Sequence, residues 1–259
     1  LLLKVAQSKD RKIILITGST SGIGEATALA LADDYDLILC GRRKTKLEKI
    51  KDDLSPKSKI KTLCFDISDK SQVENAYESL SDEWKKIDVL INNAGNAHGL
   101  DFIQEGDTND WDNMIDINIK GLLYLSRHVL KDMVNVNKGH IINLGSIAGT
   151  EVYAKGNVYC ASKFAVDAIT KGMRVDLNNH NIKVSQVSPG LVNTEFSEVR
   201  FKGDKEKADS IYKGIEPLYA EDVARVIKFI LDSPENVNIS EVSLLPRSQA
   251  SSTVVKRKS

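Results

Sequence analysis

Two residues able to move a proton stand four apart in the run Asn157-Val-Tyr-Cys-Ala-Ser-Lys163. On a helix, residues at i and i+4 share one face, so the ammonium of Lys163 is brought toward the phenol of Tyr159. A neighbouring positive charge favours the phenolate and draws down a pKa that starts at ~10. A phenol tuned that way can accept the hydroxyl proton that must leave when a carbinol gives up hydride. In a lysine-rich chain with seven tyrosines such a pair arises easily by chance, so its meaning depends on its companions. Ser146 follows the apolar run Ile141 to Leu144. With Tyr159 it would flank one substrate oxygen and stabilise developing charge there; the bland alternative is a cap at a strand end. Asn118 falls in a helical stretch, where a plain surface residue is the competing reading.

The second companion is Thr17-Gly-Ser-Thr-Ser-Gly-Ile-Gly24. Gly18, Gly22 and Gly24 let a backbone turn sharply and approach a pyrophosphate, whose charge a helix N-terminus favours. Ser19, Thr20, Ser21 and Ile23 complete the candidate cofactor loop; a simple strand-to-helix turn would need fewer glycines. NAD sites place an acidic residue after the second strand, but here the sequence reads Cys40-Gly41-Arg42-Arg43. Without a carboxylate to repel a 2′-phosphate, and with guanidinium groups to grip one, NADP is expected over NAD. The contact is assigned mainly to Arg42, with one of the two arginines expected simply to open a solvated helix. Asp66 either caps a helix or bonds the adenine amino group. In Asn92-Asn-Ala-Gly95 the asparagines can tie strand ends, and small Ala94 and Gly95 admit the adenosine side of the cofactor; a plain turn is the alternative.

Positioning these residues requires a rim common to several strands. Ile13 to Ile16, Leu37 to Leu39, Ile60 to Phe65, Val89 to Ile91, Ile141 to Leu144 and Val184 to Val187 read as buried strands, brief and rich in branched residues. Between them lie helical patterns over Ile23 to Ala32, Lys44 to Leu54, Ser71 to Trp84, Trp111 to Val136 and Tyr159 to Leu177. The alternation predicts an α/β fold of Rossmann type, a doubly wound parallel sheet of about seven strands with helices on both faces, its ligand beyond the carboxyl ends of the strands. No repeat or low-complexity linker divides residues 1–259, so one domain is expected rather than two. Residues 190–216 are polar and basic with glycine hinges, as suits a segment covering a site. Residues 246–259 read as a polar tail, frayed and basic at its end.

At 259 residues, 41% apolar and 28% charged, the chain can bury a sizeable core. Its 36 basic and 36 acidic residues cancel, leaving no overall field to recruit nucleic acid or an anionic membrane, so the expected partner is a small molecule. Cys40, Cys64 and Cys160 lack the spacing of a disulfide framework or zinc site, which fits a reducing, cytoplasmic setting; Cys160 is read as packing. His98, His128, His140 and His180 show no metal-ligand spacing, and no metal is expected. Leu1 to Leu3 is too short for a signal or membrane segment, and a start without methionine leaves a lost targeting segment open.

The order Thr-Gly-x-x-x-Gly-Ile-Gly, Asn-Asn-Ala-Gly, Asn118, Ser146, Tyr159-x-x-x-Lys163 and Pro189-Gly190 resembles the short-chain dehydrogenase/reductase family over residues 12–245. The stretches Glu195 to Gly203 and Asn236 to Glu241 resemble the branch of NADP-dependent 3-hydroxy acid dehydrogenases that act on serine and L-allo-threonine. The resemblance implies Tyr159 as acid/base and Lys163 lowering its pKa and bonding the nicotinamide ribose. It further implies Ser146 on the substrate oxygen and Asn118 holding a relay water. Ile67 and Asn93 join the implied cofactor set, as do Pro189, Gly190, Val192 and Thr194. It implies a homotetramer in which the two long helices pair between subunits. A 3-hydroxy acid brings a carboxylate, for which Arg200 and Lys202 are the available cations, solvated loop charges being the alternative. The expected reaction is oxidation of L-serine, L-allo-threonine or 3-hydroxyisobutyrate-type acids, reversible as 3-oxo acid reduction. The rivals are a general carbonyl or 3-oxoacyl reductase and a non-catalytic NADP-sensing protein.

Overall fold

Each strand of the sheet is a short run of branched apolar residues, a composition suited to burial on both faces. The computed structural model describes residues 11–258; the apolar start at Leu1 to Leu3 lies outside them, as does Ser259. In chain order the elements are β1 (Ile13–Thr17), α1 (Gly22–Leu31), β2 (Asp36–Gly41), α2 (Lys44–Leu54), β3 (Ile60–Cys64), α3 (Lys70–Glu78), β4 (Ile87–Asn92), α4 (Thr108–Ile115) and α5 (Leu122–Asn135). There follow β5 (Gly139–Leu144), α6 (Asn157–Asp176), β6 (Ile182–Pro189), β7 (Val192–Asn193), α7 (Phe196–Arg200), α8 (Lys205–Ser210), β8 (Leu218–Tyr219), α9 (Ala220–Leu231) and β9 (Glu241–Leu244). Seven strands pair in parallel in the order β3-β2-β1-β4-β5-β6-β9, a single doubly wound domain.

The two-residue period of a strand divides the core. Ile14 and Ile16 face one apolar layer with Leu31 of α1, Leu47 of α2 and Ile227 of α9. Leu15 faces the other, with Val73 of α3 and Leu125 and Val129 of α5. Because the strand order reverses direction between β1 and β4, a crevice opens beyond their carboxyl ends.

Three sequence readings change. The helix expected over Trp111 to Val136 is broken by a π-helical turn at Asp116–Gly121, where Asn118 bonds the backbone of Asn96 through both ends of its amide. The helix expected to reach Trp84 ends at Glu78, where Ser79 Oγ donates to the Ala76 carbonyl and competes for the last turn. The tail is not frayed: Gln249 and Val255 form an antiparallel bridge, Lys256 N donates to Ser248 O, and Lys258 N donates to Gly214 O. Backbone hydrogen bonds, which no side-chain pattern announces, hold it down.

Inside β5, His140 is buried with Nε2 2.8 Å from Ser185 Oγ of β6. Burial, helped by Lys183 and Lys12, drops its pKa to about 3. The unfolded chain therefore binds the extra proton first, and His140 withdraws stability as pH falls from ~6.5 toward 3. Urea titrations between pH 7 and 4 should show His140→Gln losing stability less steeply than the unaltered protein, by up to ~1.4 kcal/mol per pH unit. Parallel curves would mean that the folded chain already carries the charge.

Candidate active site

The loop after β1 turns through Gly18 at φ +67° and Gly22 at φ +55°, a left-handed backbone that favours glycine. Ser21, the N-cap of α1, makes no side-chain capping bond, so the first-turn N–H groups are left to meet what lies in the crevice. Two residues of the expected cofactor loop stand behind it instead. Ser19 turns inward, donating Oγ to Ile16 O at 2.6 Å, and Gly24 is packed against the Gly18 carbonyl with no room for a Cβ. Across the rim, Asn93 Nδ2 donates to Thr17 O at 2.8 Å, while Thr17 Oγ1 accepts from the N–H groups of Asn93 and Ala94. Asn92 Nδ2 donates to Asn143 Oδ1 at 2.9 Å, joining β4 to β5.

These ties frame a cavity of about 700 Å³. On the β2 and β3 side it is lined by Arg42, Arg43, Asp66 and Ile67, and centrally by Gly18, Thr20, Ser21, Gly22, Ile23, Asn93, Ala94 and Gly95. On the β5 and β6 side it is lined by Ser146, Tyr159, Lys163, Pro189, Gly190, Val192, Thr194 and Arg200. The two arginines differ. Arg43 donates to Thr20 Oγ1 and O, to Ser21 Oγ at 2.7 Å and to Glu195 Oε2 at 2.7 Å. Arg42, its side chain 64% exposed, pairs with Asp66 Oδ2 at 3.3 Å. Burial pushes the Asp66 carboxyl up, but hydrogen bonds from Ser68 and the charge of Arg42 outweigh it and hold it below the usual range. Asp66 does not cap α3; Asp69 does, accepting from the N–H groups of Ser71 and Gln72.

At the other end Tyr159 and Lys163 are both buried on α6. Lys163 Nζ donates to Leu144 O at 2.9 Å, and burial lowers its pKa to about 8. Burial raises the Tyr159 phenol, as does Tyr153, while Ser146 and Arg200 pull it down. Lys163, expected as the main influence on the phenol, is not among the groups that weigh most there; a buried ammonium requires an acceptor, and the Leu144 carbonyl supplies one. Ser146 also caps the 3₁₀ turn Ile147–Gly149, accepting from Ala148 N at 3.1 Å. Asn118 does not line the cavity: it sits behind Gly95, its Nδ2 also donating to Ser162 Oγ at 3.0 Å.

Arg200 of α7 is held by Gly99 O at 3.1 Å and the Tyr153 hydroxyl at 3.0 Å. Its Cζ lies 5.5 Å from the ring centre of Tyr159. Lys202, the other candidate cation, pairs instead with Asp110 at 2.9 Å and Asp107 at 3.6 Å. Sequence reasoning missed Tyr153, Phe196 and the tail residues Gln249, Ser252, Thr253, Val255 and Arg257, all of which line the cavity. Tyr153 lies six residues before Tyr159, a separation with no helical meaning; the tail residues carry no motif.

Residues 12–205 match the family model described as short chain dehydrogenase. The chain belongs to the short-chain dehydrogenase family. This dehydrogenase is 44% identical over 253 residues to the NADP-dependent 3-hydroxy acid dehydrogenase of Schizosaccharomyces pombe, covering 96% of this chain and 98% of that one. It is 42% identical over 240 residues to the NADP-dependent 3-hydroxy acid dehydrogenase YdfG of Salmonella typhi, covering 92% and 96%. Among solved structures, the closed form of serine dehydrogenase complexed with NADP+ superposes with a TM-score of 0.89 at 39% identity, over 95% of this chain and 100% of that one. Serine dehydrogenase from Escherichia coli gives 0.80 at 35%, over 92% and 99%.

Because burial disfavours the Lys163 ammonium, the folded dehydrogenase holds fewer protons than the unfolded chain between pH ~10.5 and 8. Its contribution to stability is full above ~10.5, falls as pH drops to 8, and is constant below. Relative to the unaltered dehydrogenase, Lys163→Met should gain stability as pH is lowered from 10.5 to 8, measured by urea denaturation without cofactor. A pH-independent difference would show that the ammonium is not desolvated.

Proposed function

We propose that this dehydrogenase uses NADP to oxidise the 3-hydroxyl of small 3-hydroxy acids of the L-serine, L-allo-threonine and 3-hydroxyisobutyrate type, and reversibly reduces 3-oxo acids. The observation that carries this reading is Arg200, whose guanidinium carbon stands 5.5 Å from the Tyr159 ring centre in a cavity also lined by Ser146. A guanidinium takes a carboxylate through paired hydrogen bonds, and a two-carbon spacer then sets the 3-hydroxyl beside the phenol. A simple carbonyl substrate has no use for that cation.

The residues present fit a dinucleotide. The open N-terminus of α1 and the left-handed glycines suit a pyrophosphate, Gly18, Ser21, Gly22 and Ile23 being its holders. Arg42 would hold the 2′-phosphate, Asp66 and Ile67 the adenine, and Asn93 to Gly95 the middle. Lys163, Pro189, Gly190, Val192 and Thr194 would hold the nicotinamide half. When bound, NADP supplies the carbon that accepts hydride. Ser146 and Tyr159 hydrogen-bond the substrate oxygen, and Tyr159 takes its proton as the carbinol becomes a carbonyl. Lys163 passes protons onward through water held at the Asn118 turn. A 2-amino-3-oxo acid formed from serine then loses carbon dioxide by its own electronics. Three free cysteines fit a cytoplasmic setting. Leu123, Phe164 and Val175, left exposed on α5 and α6, support pairing of these helices in a homotetramer.

NADP reduction should be seen with L-serine, L-allo-threonine and 3-hydroxyisobutyrate; activity confined to an oxoacyl thioester would reject the hydroxy acid reading. Tyr159→Phe should cut turnover roughly 10²- to 10⁴-fold while NADPH binding by fluorescence is retained. Arg200→Met should raise KM for the acids at least about tenfold with a smaller change in kcat, and Arg42→Ala should weaken NADP but spare NAD.

A further inference from the structure

The groove's two walls come from distant parts of the chain, the glycine loop with the start of α2 on one side and β7 running into α7 on the other. They meet at Gly22, where an added Cβ would lie 3.2 Å from Thr194 Cβ. One residue on, Glu195 reaches back across the groove, its Oε2 2.7 Å from Arg43 Nη1 and its Oε1 2.8 Å from Lys46 Nζ. Burial pushes the Glu195 carboxyl up, but hydrogen bonds from Lys46 and Arg43 outweigh it and hold it down to about 2, so it stays ionised at any working pH. A half-exposed ion pair alone contributes little, because two long side chains must be ordered to make it. Here much of that ordering is already done: Arg43 is fixed by Thr20 and Ser21, and one carboxylate serves both cations.

We propose that Glu195 is a positioning residue which, with Arg43 and Lys46, forms a clasp across the dinucleotide groove: the clasp opens for cofactor release, and its closure fixes α7, with Phe196 and Arg200, against the nucleotide-binding wall. This rests on the cofactor reading above. The donors of Arg43 are engaged by the protein, whereas Arg42 keeps an exposed guanidinium. The clasp therefore adjoins Gly22, in the part of the groove that NADP and NAD share, and acts on both alike.

Stopped-flow displacement of NADPH and of NADH from Glu195→Gln and from Lys46→Met tests this. Release of both dinucleotides should quicken by about fivefold in Glu195→Gln, the scale of two half-exposed ion pairs. The double variant should show less than the product of the single effects, Lys46→Arg should keep the unaltered rate, and KM for the hydroxy acid should rise more than kcat falls. Unchanged or slower release would overturn the clasp, as would acceleration for NADPH alone, which would mean that Glu195 acts through the 2′-phosphate. Failure of the unaltered enzyme to bind either dinucleotide would overturn the cofactor reading as well, whereas binding with release indifferent to Glu195 would overturn the clasp alone.

Discussion

Burial acts on Tyr159 and Lys163 in opposite directions, pushing the phenol up and the ammonium down, and in both it opposes the charged form. In both it prevails, and the groups that favour the charged forms offset it only in part. The Leu144 carbonyl accepts a hydrogen bond from the ammonium. For the phenol, Ser146 and Arg200 are the groups that favour ionisation. Ser146 is set rigidly by its turn after β5, but Arg200 arrives on α7, far along the chain. On the proposed mechanism the acidity of the phenol depends on where α7 lies, which links the covering segment to the chemistry as well as to substrate recognition.

Along the rim the strand ends are bonded to one another. Asn92 joins β4 to β5, and Asn93 with Thr17 joins β4 to β1. The amide nitrogens of both asparagines bond neighbouring strand ends, tying the glycine loop to the strand that feeds Ser146. Asn118 extends this network through a π-helical turn whose amide engages the Asn96 backbone. Turns of that kind are rare and cluster at functional sites; here one carries a polar side chain from the interior of a long helix to the back of the cavity.

At the nucleotide end the neighbouring arginines have diverged through their surroundings alone. Arg43 lies under the glycine loop and binds its residues together, while Arg42 stays exposed with a single carboxylate partner. The first is tied into the loop by several bonds and the second is held by one exposed ion pair, although both are guanidinium groups at the start of the same helix.

Much of this was legible in the amino-acid order. Runs such as Ile13 to Ile16 declare buried strands because branched residues alternate across a pleat, and the glycine loop, Tyr159 and Lys163 are local motifs whose chemistry lies in their spacing. Other features depended on which distant groups share a wall. Which partners Arg42 and Arg43 take, whether Arg200 or Lys202 reaches the phenol, and where the tail lies are all settled by partners more than twenty residues away. Local periodicity carries no information about such pairings. Chain order thus determined the sheet, its rim and the reactive types upon it, while the tertiary structure decided which charge meets which partner, because pairing is a property of positions in space.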